Sequence, residues 1–275
     1  MDDPVEQAVL RVIETMREHL GEPLTIDDMA RTAMFSKFHF TRIFQRVTGL
    51  SPGRFLSAMR LQKAQELLVT TSLNVADISY QVGYNSVGTF SSRFARSVGL
   101  SPTEYRQHGG FPPEVRVDRT VHVGRPCGAV RGTALSQITT RLGRVFVGLF
   151  PDLIRQGRPV ACTVLDGPGQ YLLEGVPPGT WHVVVTSISS QHGTSHNGIG
   201  SPDPTSDQVL YVGRHPDVTV PPGTLVLLPD IRLRPLRAFD PPMLLALPGL
   251  QRDCAASGRN GRERVPTAAS YPPAG

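Results

Sequence analysis

Cysteine is scarce in this 275-residue chain: Cys127, Cys162 and Cys254 are odd in number, far apart and never arranged as Cys-x-x-Cys. That excludes a disulfide framework and a four-cysteine zinc site, and leaves reduced thiols as the default. Long apolar runs are missing as well; none approaches the ~20 residues that a membrane-spanning helix requires. Lysine occurs only at positions 37 and 63, so arginine carries nearly all the positive charge. The opening Met-Asp-Asp-Pro and the acidic amphipathic stretch after it lack the basic start and apolar centre of a secretory leader. A soluble, cytoplasmic protein of one or two domains is the expectation.

What is present is unevenly spread. The net charge is +5, yet residues 1–30 hold eight acidic side chains against Arg11 and Arg17. Residues 31–110 reverse this, with ten basic side chains against Glu66, Asp77 and Glu104. A local excess of this kind is the electrostatic footprint of a phosphate-binding surface, but a solvated basic face looks the same. Placement has to decide.

Comparing the chain with itself supplies placement. Leu24-Thr25-Ile26-Asp27-Asp28-Met29-Ala30 aligns with Leu73-Asn74-Val75-Ala76-Asp77-Ile78-Ser79. Further on, Ser36, Phe40, Phe44, Arg46, Gly49, Leu50, Ser51, Pro52 and Phe55 align with Ser86, Phe90, Phe94, Arg96, Gly99, Leu100, Ser101, Pro102 and Tyr105. The second copy holds one extra residue between Ser79 and Ser86, where a turn belongs. Each copy reads as helix, turn, helix. Thr25 and Asn74 are N-caps of the first helices, and Ser36 and Ser86 of the second ones. Phe40, Ile43, Phe44 and Val47, and likewise Phe90, Phe94 and Val98, recur at the spacing of a buried stripe. Gly49 and Gly99 end these helices, and Ser-Pro starts the next segment. Between the copies, residues 56–69 form one continuous helical pattern with Met59, Leu61, Ala64, Leu67 and Leu68 on its apolar side, a spacer between the two motifs.

The run from Leu24 to Arg106 resembles the DNA-binding domain of the AraC/XylS family of transcription regulators. The residues that carry the likeness are Arg42-Ile43-Phe44-Gln45-Arg46-Val47-Thr48-Gly49, Arg60-Leu61 with Ala64 and Leu67-Leu68, and Asp77-Ile78-Ser79 with Val82-Gly83-Tyr84. They continue as Phe90-Ser91-Ser92-Arg93-Phe94 and as Gly99-Leu100-Ser101-Pro102-Thr103-Glu104-Tyr105-Arg106. The resemblance implies seven helices: two helix-turn-helix units joined by a long helix. It also implies that the second helix of each unit enters the major groove, the two helices lying about one DNA turn (~34 Å) apart.

With the apolar stripe turned inward, the outward face of the first such helix offers Lys37, Phe38, Thr41, Arg42 and Gln45, with Arg46 near its end. The resemblance puts base contacts at Phe38, Thr41 and Arg42. An arginine can bond O6 and N7 of guanine together, and Phe38 can meet a thymine methyl. The second helix presents Val87, Gly88, Ser91 and Ser92, with Arg93 and Arg96 alongside. Its short side chains suit phosphate contacts and loose base readout rather than bidentate bonds.

Beyond residue 110 the composition shifts to Pro, Gly, Val and Thr in short alternating runs. The expected organisation is a helical DNA-binding domain over 1–108, a linker over 109–114, a β-sandwich over 115–250 and a disordered tail over 251–275. Strands are expected at 115–123, 144–150, 159–165, 170–174, 180–188, 208–212, 224–228 and 230–233. Turn signals at 167–169 and 177–179 suit an antiparallel sandwich, and the stretch from Gly167 to Val185 is similar to prealbumin-like modules, which are usually noncatalytic. The fold class is thus multidomain, all-α followed by antiparallel β.

Catalytic signals in this half are weak. His182, His192, His196 and His215 invite a metal site, but the pair four apart lies in a Gly/Ser-rich loop that forms no helix. Ser195 beside His196 has no ordered frame for nucleophilic catalysis. Pro126-Cys127 is similar to the acceptor cysteine of DNA alkyl-transfer proteins, but Gly128 stands where that motif has histidine. No catalytic residue, metal or cofactor is expected. The expected partner is double-stranded promoter or operator DNA, with RNA polymerase a further one, and with a small-molecule effector or a second copy acting through the β half. Regulators of this family usually carry the sensor before the helix-turn-helix domain, so the order here is inverted. Two other readings stay open: a DNA-modifying or hydrolytic enzyme targeted by the helical half, and an interaction module with little base specificity.

Overall fold

The computed structural model describes residues 4–110, 126–136, 142–152, 157–190 and 208–244. Among them are seven helices: α1 (Pro4–Glu18), α2 (Ile26–Ala33), α3 (Lys37–Thr48), α4 (Pro52–Thr70), α5 (Val75–Gln81), α6 (Val87–Val98) and α7 (Pro102–Gln107). The expected strand at 115–123, the tail from 251, and His192, Ser195 and His196 lie outside the described residues.

The caps do what the sequence asks of them. Thr25 and Asp28 close a reciprocal capping box on α2, and Asn74 Oδ1 accepts the Asp77 N–H at 2.8 Å. Ser36 and Ser86 accept from the N–H groups of His39 and Thr89, and Gly49 and Gly99 take the left-handed conformation that ends α3 and α6. The extra residue of the second copy falls in the α5–α6 turn. There Gly83 sits at φ +83°, and a Cβ would lie 2.7 Å from the Leu20 carbonyl oxygen and 2.8 Å from the Arg60 guanidinium. In the first unit Met34 fills the corresponding left-handed position at φ 58°.

The repeat extends into the core. Phe40, Phe44 and Phe55 meet edge to face at centroid distances of 5.5 and 5.4 Å; in the second unit Phe90 and Phe94 are tilted at 5.6 Å and Phe94 meets Tyr105 edge to face at 5.6 Å. Burial pushes the Tyr105 hydroxyl up to about 12. The spacer α4 runs between the two units, burying Leu56, Met59, Leu61, Ala64, Leu67 and Leu68. From it, Arg60 donates to three backbone carbonyls: Leu20 at 2.9 Å, Glu22 at 2.7 Å and Gly83 at 3.1 Å. Arg106 likewise donates to the carbonyls of Leu68 (2.9 Å) and Leu73 (2.6 Å). These two arginines tie elements together.

The second half contains β1 (Gly128–Ser136), β2 (Val145–Phe150), β3 (Ala161–Leu165), β4 (Gly169–Val176), β5 (Gly179–Ser190), β6 (Gln208–Val220), β7 (Leu225–Leu227) and β8 (Ile231–Pro235). They form one curved sheet in the order β3-β2-β5-β6-β8-β1-β4, with β7 also on β1. The two ends of that path, β3 and β4, are consecutive in the chain, so the sheet is a nearly closed barrel. Its interior holds Val130, Val147, Leu149, Leu173, Val183, Val185, Tyr211 and Ile231. The antiparallel expectation needs correction at β1, whose ladders to β7 and β8 are parallel. Parallel pairing needs a crossover rather than a hairpin, and turn signals do not reveal it. β1 itself is unexpected: its burial alternates, but Gly128, Gly132 and Ala134 fill most of the buried positions and leave little apolar signal. β6 also runs on to Val220, past the expected end at 212. Pro216 lies within it beside Asp217 (φ 42°), where the register with β5 shifts, a place where a strand tolerates proline.

Every residue of β2 is buried, because both its faces are covered. Val145, Val147 and Leu149 line the barrel, while Phe146 and Phe150 form an outer cluster with Val184, Cys162, Ile188 and Met243. Met243 belongs to the segment after β8, residues 236–244, which straps the two halves together. Its Phe239 and Leu244 pack into the helical core, Leu244 being wholly buried, and Gln65 of α4 donates to the Leu244 carbonyl at 2.8 Å. An ion pair from Arg54 to Asp152 and a bond from the Gly157 N–H to the Ser97 carbonyl complete the junction.

Candidate nucleic-acid interface

Among the described residues, the strap and the β half leave one side of the helical half uncovered. The strap and β half meet α4 and the C-terminal ends of α3 and α6. On α3, Lys37, Phe38, Arg42, Gln45 and Arg46 are exposed and Thr41 is half-buried. Phe38 (80% exposed) and Met34 in the preceding turn (78%) are the most exposed large apolar side chains among the described residues. Phe38, Arg42 and Gln45 share one face at helical spacing. Thr41 bonds back to the Lys37 carbonyl at 2.9 Å, and Lys37 reaches Asp27 at 3.0 Å. On α6, Gly88, Ser92, Arg93 and Arg96 are exposed while Val87 and Ser91 are half-buried.

The basic residues sort by what they touch. Arg60 and Arg106 are engaged by carbonyls, Arg31 by Asp28, Lys37 by Asp27, Arg54 by Asp152 and Lys63 by Glu66. Arg93 turns back to the Ser57 hydroxyl on α4, at 3.4 Å. Arg42, Arg46 and Arg96 have no partner among the described residues. All three stand on the second helix of a unit. The sequence excess of charge therefore narrows to three guanidiniums with open donors. Arg42 lies on the outward face of α3, whereas Arg46, in its last turn, borders the junction with the β half. Arg96 has its backbone beside Gly157 of that half.

Sequence reasoning missed Met34, whose exposure beside Phe38 follows from its place in the turn. It also counted Arg60 and Arg106 with the surface charge. In the β half, Cys127 is exposed, and burial raises the Cys162 thiol above its ordinary value. His182 and His215 lie on β5 and β6, and the described residues contain no group of three potential metal ligands.

Two helix-turn-helix units on one spacer helix, each with a capped and outward-facing second helix, define a tandem helix-turn-helix protein. The family model for a helix-turn-helix domain matches residues 29–108. Over 101 residues the chain is 36% identical to the regulatory protein SoxS of Salmonella typhimurium, covering 37% of this chain and 94% of that protein. It is 30% identical over 106 residues to the lactose operon transcription activator of Staphylococcus xylosus, 38% of each chain. Among solved structures, the DNA-binding domain of AdpA in complex with a target DNA is 31% identical, covering 38% of this chain and 92% of that one with a TM-score of 0.35. The chain belongs to the AraC/XylS family of transcription regulators.

Proposed function

We propose that this protein is a sequence-specific DNA-binding regulator in which α3 and α6 enter adjacent major grooves of one duplex. In this reading α3 carries most of the base readout, through Phe38, Thr41, Arg42 and Gln45. Lys37 and Arg46 lie beside the backbone. The other helix, α6, presents Val87, Gly88, Ser91 and Ser92 closely but shallowly, with Arg93 and Arg96 serving phosphates. One observation carries the proposal: of the ten basic side chains in residues 31–110, the three without a partner among the described residues, Arg42, Arg46 and Arg96, all stand on these two helices. An arginine already holding a carboxylate or carbonyls has fewer donors for DNA; these three keep all of theirs.

The β half acts in this proposal as a regulatory or interaction module, in keeping with the likeness of residues 167–185 to prealbumin-like modules, and the protein as a whole is not an enzyme. Selection from a random duplex pool by the full chain tests the central point. The expected outcome is a preferred site spanning two successive major grooves with the half bound by α3 the more sharply defined. Binding that enriches no sequence at moderate salt would return the protein to the class of interaction modules. Transfer of an alkyl group to Cys127, abolished in Cys127→Ser, would place it among DNA-modifying enzymes.

A further inference from the structure

The junction between the two halves contains a cleft of about 350 Å³. Four arginines from four elements converge on it: Arg46 of α3, Arg214 of β6, Arg234 of β8 and Arg237 of the strap. Among the described residues two acidic side chains, Glu6 and Asp240, line the same cleft, so its described lining carries two more positive charges than negative ones. Asp240 is buried and already committed. It binds Arg234 through both oxygens at 2.6 and 2.7 Å, accepts the Arg237 N–H at 2.7 Å and meets Arg214 at 3.4 Å. The guanidiniums of Arg46 and Arg237 have no partner among the described residues. Phe239, Val47 and Val5 give the cleft an apolar wall.

Like charges gathered in a partly enclosed space repel one another, and the cost is relieved by a counter-charge. Guanidiniums match carboxylate and phosphate oxygens in paired geometry, and an apolar wall suits the body of a small organic molecule. We propose that this cleft binds a small organic dianion, its charge carried by carboxylate or phosphate groups, and that occupancy is felt at α3 through Arg46. The second clause rests on the reading of α3 as the helix that meets DNA; the first does not. The route is short: an anion that engages Arg214 and Arg234 competes with Asp240, which pins the strap, and the strap carries Phe239 and Leu244 into the helical core.

Isothermal titration of the full chain with succinate and, separately, with glycerol phosphate tests the site, in buffers matched in ionic strength with sodium chloride. Saturable binding of either supports it, and the preferred probe tells carboxylate from phosphate recognition. Arg237→Gln, an exposed position away from the outward face of α3, should weaken that binding at least tenfold. It should leave duplex affinity without anion within about twofold of the parent. No saturable heat with either probe, or equal heat in the parent and Arg237→Gln, overturns the site. So does a loss of duplex affinity in Arg237→Gln with no anion binding in the parent, which would make the cleft a DNA-phosphate surface. Where an anion binds, a duplex affinity changed at least threefold in the parent and unchanged in Arg237→Gln supports the coupling; no change in the parent refutes it. Failure to prefer any duplex, with anion binding intact, sinks the reading of α3 and spares the cleft.

Discussion

Replacing Arg42 by alanine isolates base readout from everything else the helical half does. Arg42 is exposed and has no partner among the described residues, so its loss removes no hydrogen bond from the fold. Stability should stay within about 0.5 kcal/mol, as for surface substitutions generally. The effect falls on DNA. A bidentate arginine–guanine pair discriminates by about 1–3 kcal/mol, a factor of roughly 5 to 150 at 25 °C. Fluorescence anisotropy on the selected duplex, and on every single-pair variant of it, reads this directly. One base-pair position should lose its preference in Arg42→Ala while the others keep theirs. The comparison is Arg96→Ala, which removes the proposed phosphate contact. All duplexes should weaken together, and the slope of log affinity against log salt should fall by about 0.9. If Arg42→Ala weakened every duplex equally and left the pattern of preferences intact, Arg42 would be a phosphate contact and the division between α3 and α6 would be wrong.

Arg60→Ala should behave in the opposite way. It strips three carbonyls of a charged donor and should lower stability by at least about 2 kcal/mol in urea unfolding, with site preference intact in the folded fraction. Leu244→Ala removes a wholly buried side chain of the strap from the helical core, and a loss of about 2–5 kcal/mol is expected; a smaller loss in a protein whose halves then unfold separately by calorimetry would show the strap to be the link between them. The Asp240 carboxyl makes a pH-dependent contribution. Burial pushes it up, but the hydrogen bonds from Arg234 and the Arg237 N–H, with the charges of Arg234 and Arg214, bring it below its ordinary value. Its stabilisation is therefore present above the unfolded value of about 3.9 and is lost as pH falls through the lower folded value. The stability gap between the parent and Asp240→Asn should be widest near neutrality and shrink below about pH 4; a gap constant from pH 7 to 3 refutes the ion-pair assignment.

The helical half was legible because its signals are local and come twice. A cap, a stripe and a left-handed glycine each act within a few residues, and the second copy repeats them in register. What escaped was direction. Arg60 and Arg106 look like any surface arginine in the chain, and only the carbonyls brought to them by the α1–α2 loop, the α5–α6 turn, the end of α4 and the α4–α5 loop turn them inward. In the β half the strands followed from alternation, but β1 did not, nor did its parallel partners, because their pairing depends on a distant return of the chain. The strap escaped for the same reason. Pro241-Pro242-Met243-Leu244 reads as a loop until two surfaces are present, one taking Met243 and the other Leu244.

The internal repeat also shows where the two units differ. Inward positions pair like with like: Phe40 with Phe90, Phe44 with Phe94, Phe55 with Tyr105. They form one aromatic cluster in each unit, and packing at crystal-like density leaves little room for change. Outward positions share no such constraint, and there the copies part: Phe38 stands against Gly88 and Arg42 against Ser92. Space is not the reason, since a Cβ at Gly88 would meet nothing closer than the Ser86 hydroxyl at 3.8 Å. A longer side chain would fit on α6 and is absent. On the proposed reading, in which both helices meet DNA, this difference between the outward faces is what separates base readout by α3 from backbone contact by α6.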